Sequence, residues 1–173
     1  MVTAQQLEPH NLSRAEHVRL VPLFGDIKDD AGAVAALSLL MKERTYRQGD
    51  NIIKEGDTGA EMFLLIQGEA AVFKKTPEGE EYKVVILGAD KHPFFGEGGL
   101  LDTDTRSATI RAQGECHCLV LDRDGFGAFS KAHPEWALPI VLRIARTVMS
   151  RVRKANDDLM LLYNALVAEI RGG

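Results

Sequence analysis

The residues with the clearest chemical potential lie in the stretch FFGEGGLLDTDTRSATIRA, from Phe94 to Ala112. Gly96, Gly98 and Gly99 crowd one end of it. A glycine cluster that runs into a helical turn leaves backbone N–H groups unpaired and aimed in one direction, and such donors bind anions, most often phosphate. Glycine suits this role because a side chain would keep the anion away from the backbone. Glycine clusters also form ordinary turns, so this pattern alone leaves both interpretations open.

Two charged residues in the same stretch indicate what the anion would carry. Arg106 begins a run typical of a strand, and its guanidinium can fork onto two oxygens of one phosphate. Glu97 would repel a phosphate, but its carboxylate can accept hydrogen bonds from ribose hydroxyls or steady the arginine. Ser107 adds a hydroxyl donor. The residues alone therefore indicate an anionic sugar phosphate, and a surface ion pair of Arg106 with Asp102 or Asp104 is the alternative.

The elements that must position these residues begin at Thr45, where short runs rich in β-branched and aromatic residues recur between glycine-containing turns. Many short strands at near-regular spacing are typical of a compact antiparallel barrel or sandwich. The predicted strands are Thr45–Arg47, Asn51–Lys54, Met62–Gln67, Ala70–Lys74, Tyr82–Leu87, Ser107–Ala112 and Cys116–Leu121.

Helical patterns flank the strands on both sides. Leu12 to Lys42 predicts two short helices, broken by glycine and aspartate. After the last strand, Asp122 is a suitable N-cap for a short helix. Pro134 then opens a long helix, because proline is well tolerated in the first turn. Pro139 lies further in and predicts a kink or a break.

The long helix carries a heptad seam. Its apolar residues are spaced alternately four and three apart, which is the pattern of a coiled coil. From Pro139 to Ile170 the helix would run about 45 Å, longer than a domain of this size needs for its own core. It either lies along the barrel or pairs with the same helix of a second chain. The seam consists of Val148, Val152, Ala155, Leu159, Leu162 and Leu166.

The stretch FGEGGLLDTDTRSATIRA resembles the phosphate-binding cassette of the cyclic-nucleotide-binding domain family. That family includes cyclic-AMP receptor transcription factors, regulatory subunits of cyclic-AMP-dependent protein kinase and nucleotide-gated channels. The resemblance covers about Leu23 to Val152, with YRQGDNIIKEGDTGAEMFLLIQGEAAVF similar to the first strands and LVLDRDGFGAFSKAHPEWA to the exit strand and next helix. It implies an α+β fold, an antiparallel β-roll (a jelly-roll-like barrel) flanked by short N-terminal helices and a long C-terminal helix.

The resemblance also implies a role for each site residue. Gly96 would let the backbone approach the ribose, and Glu97 would accept a hydrogen bond from the ribose 2′-hydroxyl. Arg106 would pair with the charged oxygens of the cyclic phosphate, and Ser107 and Ala108 would complete the cradle.

Three further cassette positions and one helix position follow from the same resemblance. Backbone N–H groups near Gly98, Gly99 and Leu100 would meet the phosphate. Gly98 and Gly99 depart from the family pattern, in which a larger apolar residue and a small residue are usual. Arg151 falls at or next to the position that faces the base, where it could stack on a purine or donate to its edge.

These features predict three segments and a function. The segments are a flexible lead-in (residues 1–12), a cyclic-nucleotide-binding domain (13–138) and a C-terminal lid or dimerisation helix (139–173). The predicted function is a non-catalytic sensor of a 3′,5′-cyclic nucleotide, cyclic AMP ahead of cyclic GMP, although Ser107 is compatible with both. The alternative is a degenerate β-roll that dimerises or docks on a partner without nucleotide. We expect a homodimer through the C-terminal helix.

Composition and residue distribution indicate which partners, cellular location and sites to expect. The formal net charge of −4 and the pI near 5.7 give no general attraction to nucleic acid, so none is expected as a partner. The N-terminus lacks a signal-peptide pattern and no segment is apolar enough to span a bilayer, which predicts a cytoplasmic protein without membrane contact. Cys116 and Cys118 read as strand residues rather than a disulfide or metal pair. The five scattered histidines indicate neither catalytic residues nor a cofactor or metal site.

Overall fold

The structure is a computed structural model that describes residues 12–102 and 105–172. Apart from Leu12, the predicted lead-in lies outside the described residues. The helices are α1 (Arg14–Leu20), α2 (Ala31–Leu40), α3 (Gly98–Leu101), α4 (Arg123–Ala132) and α5 (Pro134–Gly172). The strands are β1 (Lys42–Tyr46), β2 (Asn51–Ile53), β3 (Glu61–Gln67), β4 (Glu69–Lys75), β5 (Glu81–Gly88), β6 (Phe94–Phe95), β7 (Thr109–Ala112) and β8 (Cys116–Asp122).

The strands form two four-stranded antiparallel sheets, in the orders β1-β8-β3-β6 and β2-β7-β4-β5. The predicted α+β fold with an antiparallel β-roll is therefore confirmed. The sequence missed β6, because a two-residue strand has no detectable period. Strand β7 begins at Thr109 rather than at Ser107, because the backbone before it is irregular and belongs to the candidate site.

Local capping explains where α1, α2 and α4 start. Ser13 and Glu16 form a reciprocal capping box at the start of α1. The side chain of Asp30 accepts a hydrogen bond from the Ala33 amide at the start of α2. Asp122 accepts one from the Gly125 amide at 2.7 Å, which confirms it as the N-cap of α4.

Two buried apolar clusters support the cassette, which we define as residues 95–108. Phe95 lies in the cluster between the two sheets, where its ring stacks on Phe63 with centroids 5.6 Å apart. Leu100 lies in the other cluster, which packs the helices against the first sheet. Because Phe95 and Leu100 are anchored in different parts of the core, the cassette is held at both ends of its glycine turn.

Helix α5 differs from the sequence prediction at Pro139. The helix continues through this proline, so of the kink or break predicted there the break is wrong, and a kink stays a prediction. Pro139 removes one backbone hydrogen bond near the start of the helix, while Ala137, Ile140 and Ile144 are buried and hold the same turns against the core.

Beyond Ile144 the character of α5 changes. The seam residues Val148, Val152, Leu159, Leu162 and Leu166 are 42 to 69% exposed, so the seam is not packed against the barrel, although Arg151 on another face of the same helix reaches Glu97. That interpretation of the seam is therefore wrong, and pairing with a second chain stays a prediction. Within residues 12–102 and 105–172, no helix is long and apolar enough to cross a membrane.

Candidate functional site

Arg106 is held in a defined position by its neighbours. Its backbone amide donates to the Asp57 carbonyl at 2.8 Å, and its own carbonyl accepts from the Gly56 amide at 2.9 Å. In the side chain, Nη1 donates to the carbonyl of Gly96 at 3.0 Å and Nη2 to that of Glu61 at 2.6 Å. Burial lowers the pKa of Arg106, but an arginine starts so high that it keeps its charge at neutral pH. The β2–β3 loop and the cassette thus present a fixed, half-buried cation.

The glycines around Arg106 differ in what they do. A Cβ atom on Gly59 would lie 2.2 Å from Nε of Arg106, so this glycine leaves the space for the guanidinium. Gly96 has a φ of 74°, which favours glycine, and a Cβ there would lie 2.7 Å from Nη1 of Arg106. A Cβ on Gly99 would lie 2.8 Å from the Gly59 carbonyl oxygen, whereas one on Gly98 would meet nothing within 4 Å. Close packing therefore explains Gly99 but not Gly98.

Two of the three backbone amides predicted to meet the phosphate already have acceptors within the glycine turn. The Gly99 amide donates to the Gly96 carbonyl at 3.0 Å, and the Leu100 amide donates to that of Glu97 at 3.1 Å. The expectation that these two amides are unpaired is therefore wrong for this structure, because the turn closes on itself as the start of α3. The guanidinium of Arg106 is therefore the strongest candidate donor for an anion in the cassette.

The next two predicted residues follow Arg106 directly. Ser107 is exposed and Ala108 is half-buried, in a bend just before β7. The alternative partner Asp104 lies outside the described residues.

Glu97 is the buried charge of the site. It is 3% exposed, and its Oε1 accepts a hydrogen bond from Nη1 of Arg151. A buried carboxylate without a partner would be costly, so this ion pair balances its charge. The Arg151 side chain itself is 60% exposed. The structure thus brings Arg151 of α5 onto the cassette, but against Glu97, the residue expected to accept from a ribose.

Sequence reasoning missed Arg123, the first residue of α4. Its Nε donates to the Gly99 carbonyl at 2.9 Å, and its Nη2 donates to the carbonyl of Asp102. These bonds satisfy carbonyl groups at the end of α3 and connect it to α4. No sequence signal marked this arginine. Gly59 and Glu61 were also missed, although the glycine-rich loop between β2 and β3 had been recognised as a turn.

The cysteines on β8 do not contribute to the site. Cys116 and Cys118 are free and buried, and burial raises the pKa of Cys118 to about 12. His117, between them in sequence, pairs with Glu115 at 2.9 Å. Within the part of the chain that the structure describes, no group of three or more His, Cys, Asp or Glu side chains is arranged to hold a metal ion.

Comparison with known proteins gives the same family from sequence. The model of the family described as "Cyclic nucleotide-binding domain" matches residues 43–133, more than half of the chain. The CRP-like cAMP-activated global transcriptional regulator of Mycobacterium tuberculosis is 25% identical over 130 residues, 75% of this chain and 55% of the regulator. Human cGMP-dependent protein kinase 2 is 40% identical over 82 residues, 47% of this chain and 11% of the kinase. The chain thus spans only part of these relatives.

Solved structures agree with the fold. The Thermus thermophilus catabolite activator protein is 31% identical with a TM-score of 0.70, over 82% of this chain and 62% of that protein. The N-terminal domain of a transcriptional regulator from Streptomyces coelicolor A3(2) is 29% identical with a TM-score of 0.68, over 83% of this chain and 94% of that domain. From the β-roll, the cassette and these matches, the chain belongs to the cyclic nucleotide-binding domain family.

Proposed function

We propose that this chain is a non-catalytic binding module for a 3′,5′-cyclic nucleotide. The observation that supports this most is the pair of opposite charges in one cassette: buried Glu97 at the glycine turn and Arg106 beside the same turn. A cyclic nucleotide carries one anionic phosphate fused to a ribose with a free 2′-hydroxyl. Arg106 is the ligand for that phosphate, and Glu97 is the acceptor for that hydroxyl.

Arg106 can bind the phosphate without leaving its place. A guanidinium has five N–H groups, and two of them donate to the carbonyls of Gly96 and Glu61. The remaining N–H groups can donate to the two exocyclic oxygens of the cyclic phosphate. Ser107 and Ala108 follow directly, and their backbone amides, with the Ser107 hydroxyl, complete the cradle as the family pattern implies.

Ligand binding acts on α5 through Glu97. In this structure the carboxylate is paired with Arg151, so the ribose hydroxyl competes with that arginine or shares the carboxylate with it. A released Arg151 is free to stack on the purine or donate to its edge. The change in partner at Glu97 is therefore the step that couples the cassette to the position of α5.

We place cyclic AMP ahead of cyclic GMP. The relative named as cAMP-activated matches 75% of the chain, and a structure titled cAMP-bound PfPKA-R, 25% identical with a TM-score of 0.60, covers 73% of it. Kinases named as cGMP-dependent match 47 to 65% of the chain. The hydroxyl of Ser107 is compatible with either base.

The exposed seam of α5 supports a homodimer. Five apolar seam residues face solvent at 42% exposure or more, and pairing with a second copy would bury them. The same observation favours the alternative function, a β-roll that dimerises or docks without nucleotide. Because the chain spans only part of its relatives, some of which are named as transcriptional regulators, the expected lack of contact with nucleic acid is a proposal for these 173 residues alone.

Calorimetric titration with cyclic AMP and cyclic GMP tests the proposed function. We expect cyclic AMP to bind more tightly, and Arg106→Ala to weaken binding at least about 100-fold, because two charge-assisted hydrogen bonds contribute about 1.5 to 3 kcal/mol each. Arg111→Ala is the matched control, since Arg111 on β7 pairs with Glu81 and Asn51. Absence of heat with both nucleotides, together with dimerisation that nucleotide does not change, would leave the alternative function.

A further inference from the structure

Among residues 12–102 and 105–172, the side chains that line one groove on helix α5 are all arginines or carry a hydroxyl. The lining residues recur three and four apart, so they share one face of the helix. Between Glu135 and Asp157 the sequence of α5 contains no acidic residue, although the whole chain has a net charge of −4. This basic groove consists of Arg143, Arg146, Thr147, Ser150 and Arg151.

Both ends of the basic groove already hold a carboxylate. At one end, Nε and Nη2 of Arg143 fork onto the two oxygens of Asp26 at 3.0 and 2.7 Å. These hydrogen bonds, with the nearby charge of Arg146, lower the pKa of Asp26. At the other end, Arg151 holds Glu97. Arginines of the groove therefore already bind carboxylate oxygens of this protein at two places.

The middle of the groove has donors for a further anion. Arg146 and Ser150 lie four residues apart and are exposed, so both reach the same space. The Thr147 hydroxyl donates to the Arg143 carbonyl at 2.9 Å and is therefore engaged. Arg151 borders this space and can turn towards it when Glu97 has another partner.

We propose that Arg146, Ser150 and Arg151 form a second anion site, separate from the cassette, that binds the phosphate group of a small molecule. A phosphate dianion suits this set because guanidinium groups fork onto its oxygens and a serine hydroxyl donates to another. A single carboxylate, such as those at the two ends, carries half that charge. The middle of the groove is where the larger charge is matched.

The second site is linked to the first through Arg151, and this linkage rests on the proposed function. A ribose hydroxyl at Glu97 releases Arg151, which can then turn either to the purine or to the groove. An anion in the groove draws Arg151 away from Glu97 and holds the released arginine in the groove rather than on the purine. Each ligand therefore favours the other, and the coupling must be reciprocal. An anion that instead competed for Arg106 would weaken nucleotide binding, so the sign of the effect distinguishes the two sites.

Phosphorus NMR titration of the full chain with orthophosphate and with glycerol 3-phosphate tests the site without nucleotide. We expect saturable binding that Arg146→Gln weakens at least about 10-fold, as loss of one charge-assisted hydrogen bond implies. Arg153→Gln is the matched control, because it removes the same charge from the same helix but does not line the groove. Saturation by both compounds identifies the phosphate group as the ligand, and saturation by the ester alone identifies a phosphorylated metabolite; both support the site.

The linkage is tested by titrating cyclic AMP with and without the anion at constant ionic strength. We expect orthophosphate or glycerol 3-phosphate to tighten cyclic AMP binding about 5-fold or more in the unchanged chain and in Arg153→Gln, but not in Arg146→Gln. Three results would overturn the inference. Arg146→Gln and Arg153→Gln could weaken anion binding equally, or the anion could weaken rather than tighten nucleotide binding. The chain could also bind duplex DNA, with both variants reducing that binding equally. If orthophosphate binds through Arg146 but neither nucleotide binds, the proposed function fails and the second site stands. If a cyclic nucleotide binds and neither phosphate compound does, the proposed function stands and the second site fails.

Discussion

Gly98 and Gly99 are adjacent in α3, yet the structure predicts opposite effects for the same substitution. A methyl group at Gly98 meets nothing within 4 Å. At Gly99 it would lie 2.8 Å from the Gly59 carbonyl oxygen and 3.1 Å from the Glu61 amide nitrogen, both of which are backbone atoms. Neither glycine has a positive φ, so packing rather than backbone strain decides the difference.

The magnitudes follow from two contributions. Replacing glycine by alanine at a compatible position stabilises by about 0.4 to 1 kcal/mol, chiefly by restricting the unfolded chain. Forcing a methyl group into a filled space costs about 1 to 3 kcal/mol. We therefore expect Gly98→Ala to raise the free energy of unfolding slightly and Gly99→Ala to lower it by about 1 to 2 kcal/mol. In a chain of this size that is a fall in Tm of roughly 2 to 8 °C.

Urea unfolding and cyclic AMP titration of both variants provide the assay. Because the Gly99 methyl would also lie 2.9 Å from Nη1 of Arg106, Gly99→Ala should weaken nucleotide binding as well, whereas Gly98→Ala should retain it. Each variant serves as the control for the other, since the sequence change is identical. Equal stability of the two variants would refute the packing argument for Gly99.

Three further predictions concern other parts of the structure. Burial, followed by the charge of His92, lowers the pKa of His17, so the folded state favours the neutral ring. The free energy of unfolding should therefore fall as the pH drops below the usual histidine pKa, between about pH 7 and 5. Thermal unfolding across that range should show a smaller fall in His17→Gln, and an unchanged slope would contradict this. Burial raises the pKa of Cys118 to about 12, so a thiol reagent should modify it only on unfolding; rapid labelling of the native chain would be the opposite result. Arg123→Gln removes the donors to the Gly99 and Asp102 carbonyls. It should lower the free energy of unfolding by about 1 to 2 kcal/mol and weaken nucleotide binding. An unchanged free energy of unfolding in urea would show that these bonds are dispensable.

Much of the β-roll was predictable because its pattern is local. Alternating short strands and glycine turns placed seven strands, each overlapping an observed one, and the N-cap at Asp122 was recognised from a single residue. The missing strand, β6, pairs over only two residues with β3, so its existence depends on a distant partner. The helix break expected at Pro139 was wrong for the same reason, because burial of Ile140 and Ile144 outweighs one lost hydrogen bond.

For the candidate site, the sequence by itself determined which residues carry the chemistry. Glu97 and Arg106 stand close together in one stretch, and the glycines around them form a recognisable pattern. Only the tertiary structure decided how they are held: Arg106 by the carbonyls of Gly96 and Glu61, and Glu97 by Arg151, 54 residues away. The physical reason is that a motif records residue types along the chain. The partner of a buried charge depends on which segments the packed core brings together.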